Sequence, residues 1–322
     1  TEQIAQTVFD YVCGVGGEVG IEWGWNGRRD GNGVWGAGRP VGKEMDVRMR
    51  LVLTAVLLVG IALTGSAAGT EVTVDGGVRY QTIEGFGTCL IAWVARFRDL
   101  YRTEAFQRIY VEGVGCNMLR VNMWGPTYER STEDWTEIRY QDFDMGANGG
   151  RARIFVDFGR GIRKLNPGVK IIGTVWSPPA WMKVNRSITD AKSIAIRASG
   201  YGEIENRVDP KYFKHFCQWM VEYVKLHEAR GVPFYAVSPG NEVQFTQSFE
   251  SCVWDGKDYA TIVAMLRAAL DAEGYGEVKI FGPETMTSHL YEGGTGSYVQ
   301  AVSNDPRALA ALDVFATHGY ED

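Results

Sequence analysis

The chain is poor in residues that bind metals and phosphates. Its four histidines stand singly, and none of its five cysteines belongs to a CxxC pair, so no structural zinc site is expected. Basic charge is also scarce. Lys and Arg number 33 against 39 Asp and Glu, for a formal charge of −6 and a pI near 5.4, which offers no cationic surface to a nucleic-acid backbone. A GxGxxG turn is missing after the first strand-like run, where Glu84-Gly85-Phe86-Gly87 stands instead, and a dinucleotide fold loses its main signal. No methionine precedes Met45.

The apolar run from Leu51 to Leu63 is shorter than the roughly 20 residues a membrane span needs. In its context it reads as part of a signal peptide over residues 45–68. Arg48 and Arg50 form the charged start, Leu51 to Leu63 the apolar centre, and Ser66-Ala67-Ala68 the small-residue cleavage site. Residues 1–44 lie upstream of a signal that is read only near a true N-terminus. They are Gly-, Trp- and Arg-rich without sustained periodicity and are expected to be non-native upstream translation without ordered structure. The expected product is secreted or periplasmic, with no stable membrane span after signal cleavage. Export implies an oxidising compartment for Cys89, Cys116, Cys217 and Cys252, for which three pairings are open and the sequence chooses none.

Aromatic residues, by contrast, are abundant. Ten Trp and fifteen Tyr supply apolar ring faces of the kind that stack on sugars as well as fill cores. Beyond residue 69, short apolar runs alternate with helical patterns, as expected for a parallel sheet wrapped by helices. The strand-like runs are Glu71–Val74, Tyr80–Phe86, Asn117–Asn122, Val169–Val175, Phe234–Ser238, Val278–Gly282 and Asp313–Thr317. Between the third and fourth barrel runs Asp209 caps a helix with Pro210 in its first turn and Gly231 at its end. The next helix buries Tyr259, Ile262, Val263, Leu266 and Leu270 and closes at Gly274, and a shorter one starts at Asn304-Asp305-Pro306. The reading is a (β/α)8 TIM barrel of which about the first six strands are present. Residues 81–322 form the partial barrel, and residues 69–80 precede it. A doubly wound open sheet is the competing architecture.

In a barrel the C-terminal strand ends line the active site. Here those ends carry Arg120, Asn122 and Trp124; Trp176 through Trp181; Asn241 and Glu242; Glu284; and His318 and Tyr320. Retaining glycoside hydrolysis requires a carboxylic acid that protonates the leaving oxygen and a second carboxylate that attacks. Glu242 is the candidate acid. Asn241 is placed to bind a sugar hydroxyl, and Trp176 and Trp181 flank a stiff Pro-Pro pair that suits a stacking wall. Arg120, inside an apolar strand, must meet a carboxylate. Glu284 either binds substrate or holds Arg120, and His318 and Tyr320 share one side of a strand. A non-catalytic carbohydrate-binding protein on a barrel scaffold is the alternative from another functional class.

These stretches resemble glycoside hydrolase family 30, of the clan A barrels. The motifs are Gln81-Thr82-Ile83-Glu84-Gly85-Phe86-Gly87, Trp176-Ser177-Pro178-Pro179-Ala180-Trp181-Met182-Lys183, Tyr235 through Glu242, Phe249-Glu250-Ser251-Cys252, Gly282-Pro283-Glu284 and His318-Gly319-Tyr320. The resemblance implies a retaining O-glycosyl hydrolase with Glu242 as acid/base, no metal or organic cofactor, and a β-linked oligo- or polysaccharide as substrate. Glucuronoxylan and β-1,6-glucan are favoured, and glucosylceramide is a further family substrate. It also implies that residues 69–80 open a side β-domain, that residues 81–322 are a partial catalytic barrel, and that Arg120 steadies the nucleophile, which sits on a seventh strand, so this chain alone is expected to be an inactive fragment. Two departures stand out: Gly240 replaces the usual glutamine, and Val243 replaces the usual proline.

Overall fold

A computed structural model describes residues 75–80, 82–90, 92, 94–146, 150–192, 194–196, 200–287 and 295–320. The expected upstream stretch, the signal segment and the Glu71–Val74 strand lie outside the described residues. The chain divides into two compact units, Thr1–Ile83 and Glu84–Asp322. In the first, Asp75 closes a turn, its side chain accepting from the amide of Gly77 at 2.8 Å.

The second unit is a six-stranded sheet ordered β1-β2-β3-β4-β5-β6. The strands are β1 (Gly87–Cys89), β2 (Met118–Asn122), β3 (Lys170–Thr174), β4 (Phe234–Ser238), β5 (Lys279–Thr285) and β6 (Val314–Thr317). Every neighbouring pair is parallel. A doubly wound sheet reverses its strand order at a switch point, and this one does not. The sequential order is that of a barrel wall. Helices fill the crossovers: α1 (Ala95–Arg102) and α2 (Glu104–Arg108), α3 (Arg151–Leu165), α4 (Phe213–Ala229), α5 (Gly256–Ala272), and α6 (Thr295–Asn304) with α7 (Pro306–Ala311).

The expected first barrel strand, Tyr80–Phe86, is displaced: pairing begins only at Gly87, opposite Met118. Asn117 explains the late start. Its side-chain oxygen takes the Phe86 amide proton at 2.8 Å, while the amides of Asn117 and Met118 both donate to the Phe86 carbonyl, at 3.0 and 3.1 Å. This side-chain bridge occupies the groups that would otherwise extend the ladder. In the other direction, β5 runs three residues past its expected end at Gly282, so Glu284 lies within the strand.

Local signals act as read, with one refinement. Asp209 accepts from the Lys211 amide at 3.2 Å, but Pro210–Tyr212 forms a tight 3-10 turn before α4 begins. Asp255 caps α5 through the Asp258 amide at 2.7 Å, and Asp305 caps α7. The expected apolar residues of α5 are all buried, and on α4 Phe213, Phe216, Met220, Tyr223 and Val224 are buried. Trp219, Val221 and Leu226 are buried too, because α4 packs beneath loops as well as on the sheet. Cys89, Cys116, Cys217 and Cys252 are free thiols. Among the described residues no helix is long and apolar enough to cross a membrane.

Alternation along the strands sets the site. On β2, Leu119 and Val121 are fully buried in the hydrophobic core, which leaves Arg120 and Asn122 on the other face. Asn122 pairs in register with Thr174 of β3, and Thr174 with Ser238 of β4. Polar residues therefore stand side by side at the C-terminal end of the sheet. At the opposite end, Glu84 gathers Lys170 at 2.9 Å, the Tyr235 hydroxyl at 2.5 Å and Lys279 at 3.6 Å. Those partners, Tyr235 foremost, hold the exposed Glu84 carboxyl down at about 2.

Candidate active site

Glu242 follows β4 by four residues and is 8% exposed. Its amide donates to the Glu284 carbonyl at 3.0 Å, which ties the end of β4 to β5. Its carboxylate is held on both sides. His318 Nδ1 lies 3.0 Å from Oε1, and Gln247 Nε2 donates to Oε2 at 3.1 Å. The backbone of Glu242 is left-handed, with φ of 50°, and so is that of Glu284, with φ of 54°. Side chains rarely adopt this region, and each such residue costs about 1–3 kcal/mol unless its surroundings hold it there.

Glu284 is 2% exposed and receives Arg120 through Nε at 3.0 Å and Nη2 at 2.8 Å, both on Oε1. The Thr174 hydroxyl donates to the same oxygen at 3.3 Å, and His318 Nε2 lies 3.6 Å away. Burial by itself would raise the Glu284 carboxyl. The Arg120 charge, ahead of the hydrogen bond and charge of His318, outweighs burial and holds the group below the usual carboxylate range. His318 shows the converse balance: burial lowers it, while hydrogen bonds to Glu242 and Glu284 raise it above the ordinary histidine value. One imidazole thus spans two carboxylates from neighbouring strands.

Arg120 meets a carboxylate as its burial requires, and Glu284 is that carboxylate. Nη2 also donates to Asn241 Oδ1 at 2.7 Å, so the asparagine carbonyl is engaged by protein. The guanidinium lies 4.3 Å from the Trp176 ring centroid. Tyr320, half-exposed, packs edge-on against His318 with centroids 5.9 Å apart. Trp181 has different company. Its ring stands edge-on to Tyr212 and His215, and its indole N–H donates to the Tyr128 carbonyl at 3.3 Å, so its contacts are those of the packed wall behind the loop.

A second grouping lies beside Trp176 around a cavity of about 260 Å3 lined by Asn122, Arg151, Trp176, Phe249 and Glu250. Arg151 forms an ion pair with Glu250. Trp124 donates its indole N–H to the same Glu250 oxygen at 3.3 Å, and the Arg151 guanidinium lies 5.3 Å from the Trp124 ring centroid. Asn122 Oδ1 is buried without a hydrogen-bond partner among the described residues. Such an orphaned acceptor costs about 1–3 kcal/mol.

Lys183, the last residue of the Trp-Ser-Pro-Pro motif, is wholly buried. Its ammonium reaches Asn206 Oδ1 at 2.5 Å, the Ser251 carbonyl at 2.7 Å and Ser177 Oγ at 3.2 Å. Burial lowers its pKa to about 8. The two departures from the family pattern meet each other: a Cβ on Gly240 would come within 2.6 Å of Val243 Cγ1 and 3.2 Å of the Trp254 ring.

Sequence reasoning passed over Thr174, Gln247 and Arg151. Thr174 is visible only through strand register. Gln247 lies in a loop without a periodic signal, and Arg151 opens α3, 99 residues from its partner Glu250.

Known proteins resemble this chain in sequence and in fold. An endo-1,6-β-D-glucanase of Neurospora crassa is 28% identical over 211 residues, covering 61% of this chain and 41% of that protein. A putative glucosylceramidase 1 of Caenorhabditis elegans is 21% identical over 267 residues, covering 78% of this chain and 48% of that protein. The solved structure of the endo-β1,6-glucanase BT3312 superposes with a TM-score of 0.58 at 20% identity, covering 77% of this chain and 54% of that one. The chain therefore spans about half the length of the relatives it matches. The sequence model of the glycosyl hydrolase family 30 TIM-barrel domain matches residues 92–252, half of the chain, and with the sequential parallel sheet beneath that match the chain belongs to glycosyl hydrolase family 30.

Proposed function

We infer that the protein is a secreted or periplasmic retaining hydrolase of β-linked glycans with Glu242 as its general acid/base. The observation that carries this reading is the setting of Glu242: a buried carboxylate at the C-terminal end of the sheet, in a rare backbone conformation, gripped on both oxygens by His318 and Gln247. In the first step Glu242 gives its proton to the glycosidic oxygen as a carboxylate attacks the anomeric carbon. In the second it takes a proton from the water that releases the sugar. Glu284 is assigned to holding Arg120, so the attacking carboxylate is a different residue. Arg120, Asn241 and Trp176 form the floor beside the acid, and the His318–Tyr320 pair orients it. Neither a metal nor an organic cofactor enters this chemistry. The glucanase named among the relatives supports β-1,6-glucan as a substrate, and the reading extends to other β-glycans.

The test is hydrolysis of a β-glycan panel by the intact gene product and its Glu242→Ala variant. Loss of activity in the variant, partly rescued by azide or by an activated leaving group, is expected. Glycan binding without hydrolysis in either protein would overturn the reading in favour of a carbohydrate-binding barrel. N-terminal sequencing of protein recovered outside the cytoplasm tests the export assignment.

A further inference from the structure

We propose that the buried Lys183 is a positioning residue for Glu242: as an ammonium it fixes, through Asn206 and Ser251, the Gln247 side chain that grips the acid/base carboxylate. The inference rests on the glycan-hydrolase reading and adds to it a residue that acts from behind the site.

Lys183 has no exposed surface, so its charge must be met by protein groups. Its ammonium donates to Ser177 Oγ at 3.2 Å, Asn206 Oδ1 at 2.5 Å and the Ser251 carbonyl at 2.7 Å. Three donors meet three acceptors. An ammonium cannot accept, so it dictates that the oxygen of the Asn206 amide faces it and the nitrogen faces away. That nitrogen, Nδ2, donates to Ser251 Oγ at 2.8 Å. The same hydroxyl accepts the Gln247 amide at 2.9 Å and donates to the Gln247 carbonyl at 3.4 Å, which also receives the Asp190 amide at 2.9 Å. With its backbone held at both ends, Gln247 extends Nε2 to Glu242 Oε2 at 3.1 Å. An unbroken run of hydrogen bonds thus leads from a buried cation to the acid/base.

The charge gives the run its direction. A neutral amine has two N–H groups and a lone pair, so one of the three acceptors would go unserved, and Asn206 would be free to turn its nitrogen toward Lys183. Ser251 would then donate to Asn206 and release the Gln247 carbonyl. The titratable groups about Lys183 are Cys252 and Asp190, and Arg207 acts on Cys252 in turn. Burial pushes Cys252 up to about 11, which keeps it a neutral thiol, and brings Lys183 down to about 8. The run is therefore held below that pH and released above it.

The test uses the intact gene product with phenyl and dinitrophenyl β-glycosides of gentiobiose and of xylobiose. Departure of phenol needs a proton from Glu242, and departure of dinitrophenol does not. Lys183→Met and Ser251→Ala should each lower kcat/KM about tenfold on the phenyl glycoside, a part of the roughly 10²–10⁴ that a general acid contributes, and less than about twofold on the dinitrophenyl one. A lysine that only stabilises the fold would lower both alike. Ser251→Ala keeps the Lys183 bond to the residue 251 carbonyl, so it interrogates the run even where Lys183→Met does not fold. The second step uses Glu242 as a base and limits kcat on the dinitrophenyl glycoside, so in the parent that kcat should fall as pH rises through about 8. In Ser251→Ala the fall should be absent. His318 is also raised, and a fall that persists in Ser251→Ala belongs to it. Equal losses on both leaving groups, parental rates in Ser251→Ala, or a fall that persists there overturns the proposal and leaves Glu242 as the acid/base. A Glu242→Ala variant without the leaving-group split, or a parent that cleaves none of the glycosides, removes the glycan-hydrolase reading with it.

Discussion

Glu242 donates its backbone amide to the carbonyl of Glu284 at 3.0 Å, and His318 joins their side chains, 3.0 Å from one carboxylate and 3.6 Å from the other. The two strand ends are therefore locked by backbone and side chain together, which lets both residues stay in left-handed conformations. Strain of this kind persists where the surroundings over-determine it.

Removing one partner of the buried Arg120–Glu284 pair should be costly, because the other charge remains buried. Glu284→Ala is expected to destabilise the protein by about 3–5 kcal/mol. Glu284→Gln, which keeps an acceptor for Arg120, should cost less. Urea unfolding midpoints of the two variants check the order.

Two histidines should give stability opposite dependences on pH. His227 is buried against Phe234, with ring centroids 4.2 Å apart, and burial lowers it to about 3. The unfolded chain takes up that proton from about pH 6.5 downward while the folded one does not, so stability falls by roughly 1.4 kcal/mol per pH unit between about 6.5 and 3. His318 is raised by Glu242 and Glu284; its contribution is full below the unfolded value and fades as pH rises through the folded one. His227→Phe should flatten the acid limb, and His318→Gln should remove stability mainly at low pH. Unfolding free energies measured from pH 4 to 8 on the two variants distinguish these signs.

Lys183 fastens the Ser177 loop to the Ser251 loop, next to Trp176 and Glu250. Lys183→Met removes the ammonium and leaves its acceptors buried and unpaired, at an expected cost of about 3 kcal/mol. Because both loops border the cavity, glycan affinity should fall as well. Thermal unfolding and oligosaccharide binding on the same sample test both effects.

Gly240 and Val243 depart from the family pattern together and are in contact. Gly240→Ala should destabilise by about 1–3 kcal/mol through overpacking. Val243→Ala should cost a similar amount by opening a cavity. In the double variant the new methyl group occupies space the valine has vacated, so the two costs should add to less than their sum, with a coupling of about 1 kcal/mol. A double-mutant cycle measures it.

Much of the barrel was legible because its signals are local. Capping aspartates and closing glycines mark the helix ends, and the Phe234–Ser238 strand has the bounds its apolar run implied. Strand edges were less legible where a side chain intervenes: Asn117 bridges Phe86 and delays β1, and no propensity encodes that. Arg120 demanded a carboxylate from its own burial, but nothing in the chain chose Glu284 over other acids. That choice comes from the parallel order of β2 through β5 and from the Thr174 hydroxyl between them.

Taken alone, the sequence determined the alternation of strand and helix, the residue types at the strand ends and the resemblance to family 30, since each depends on neighbours within a few residues or on a motif read in order. Tertiary structure alone decided which of those groups meet. His318 finds Glu242 across 76 residues and Arg151 finds Glu250 across 99, because a curled parallel sheet brings its C-terminal ends to one level whatever their separation along the chain.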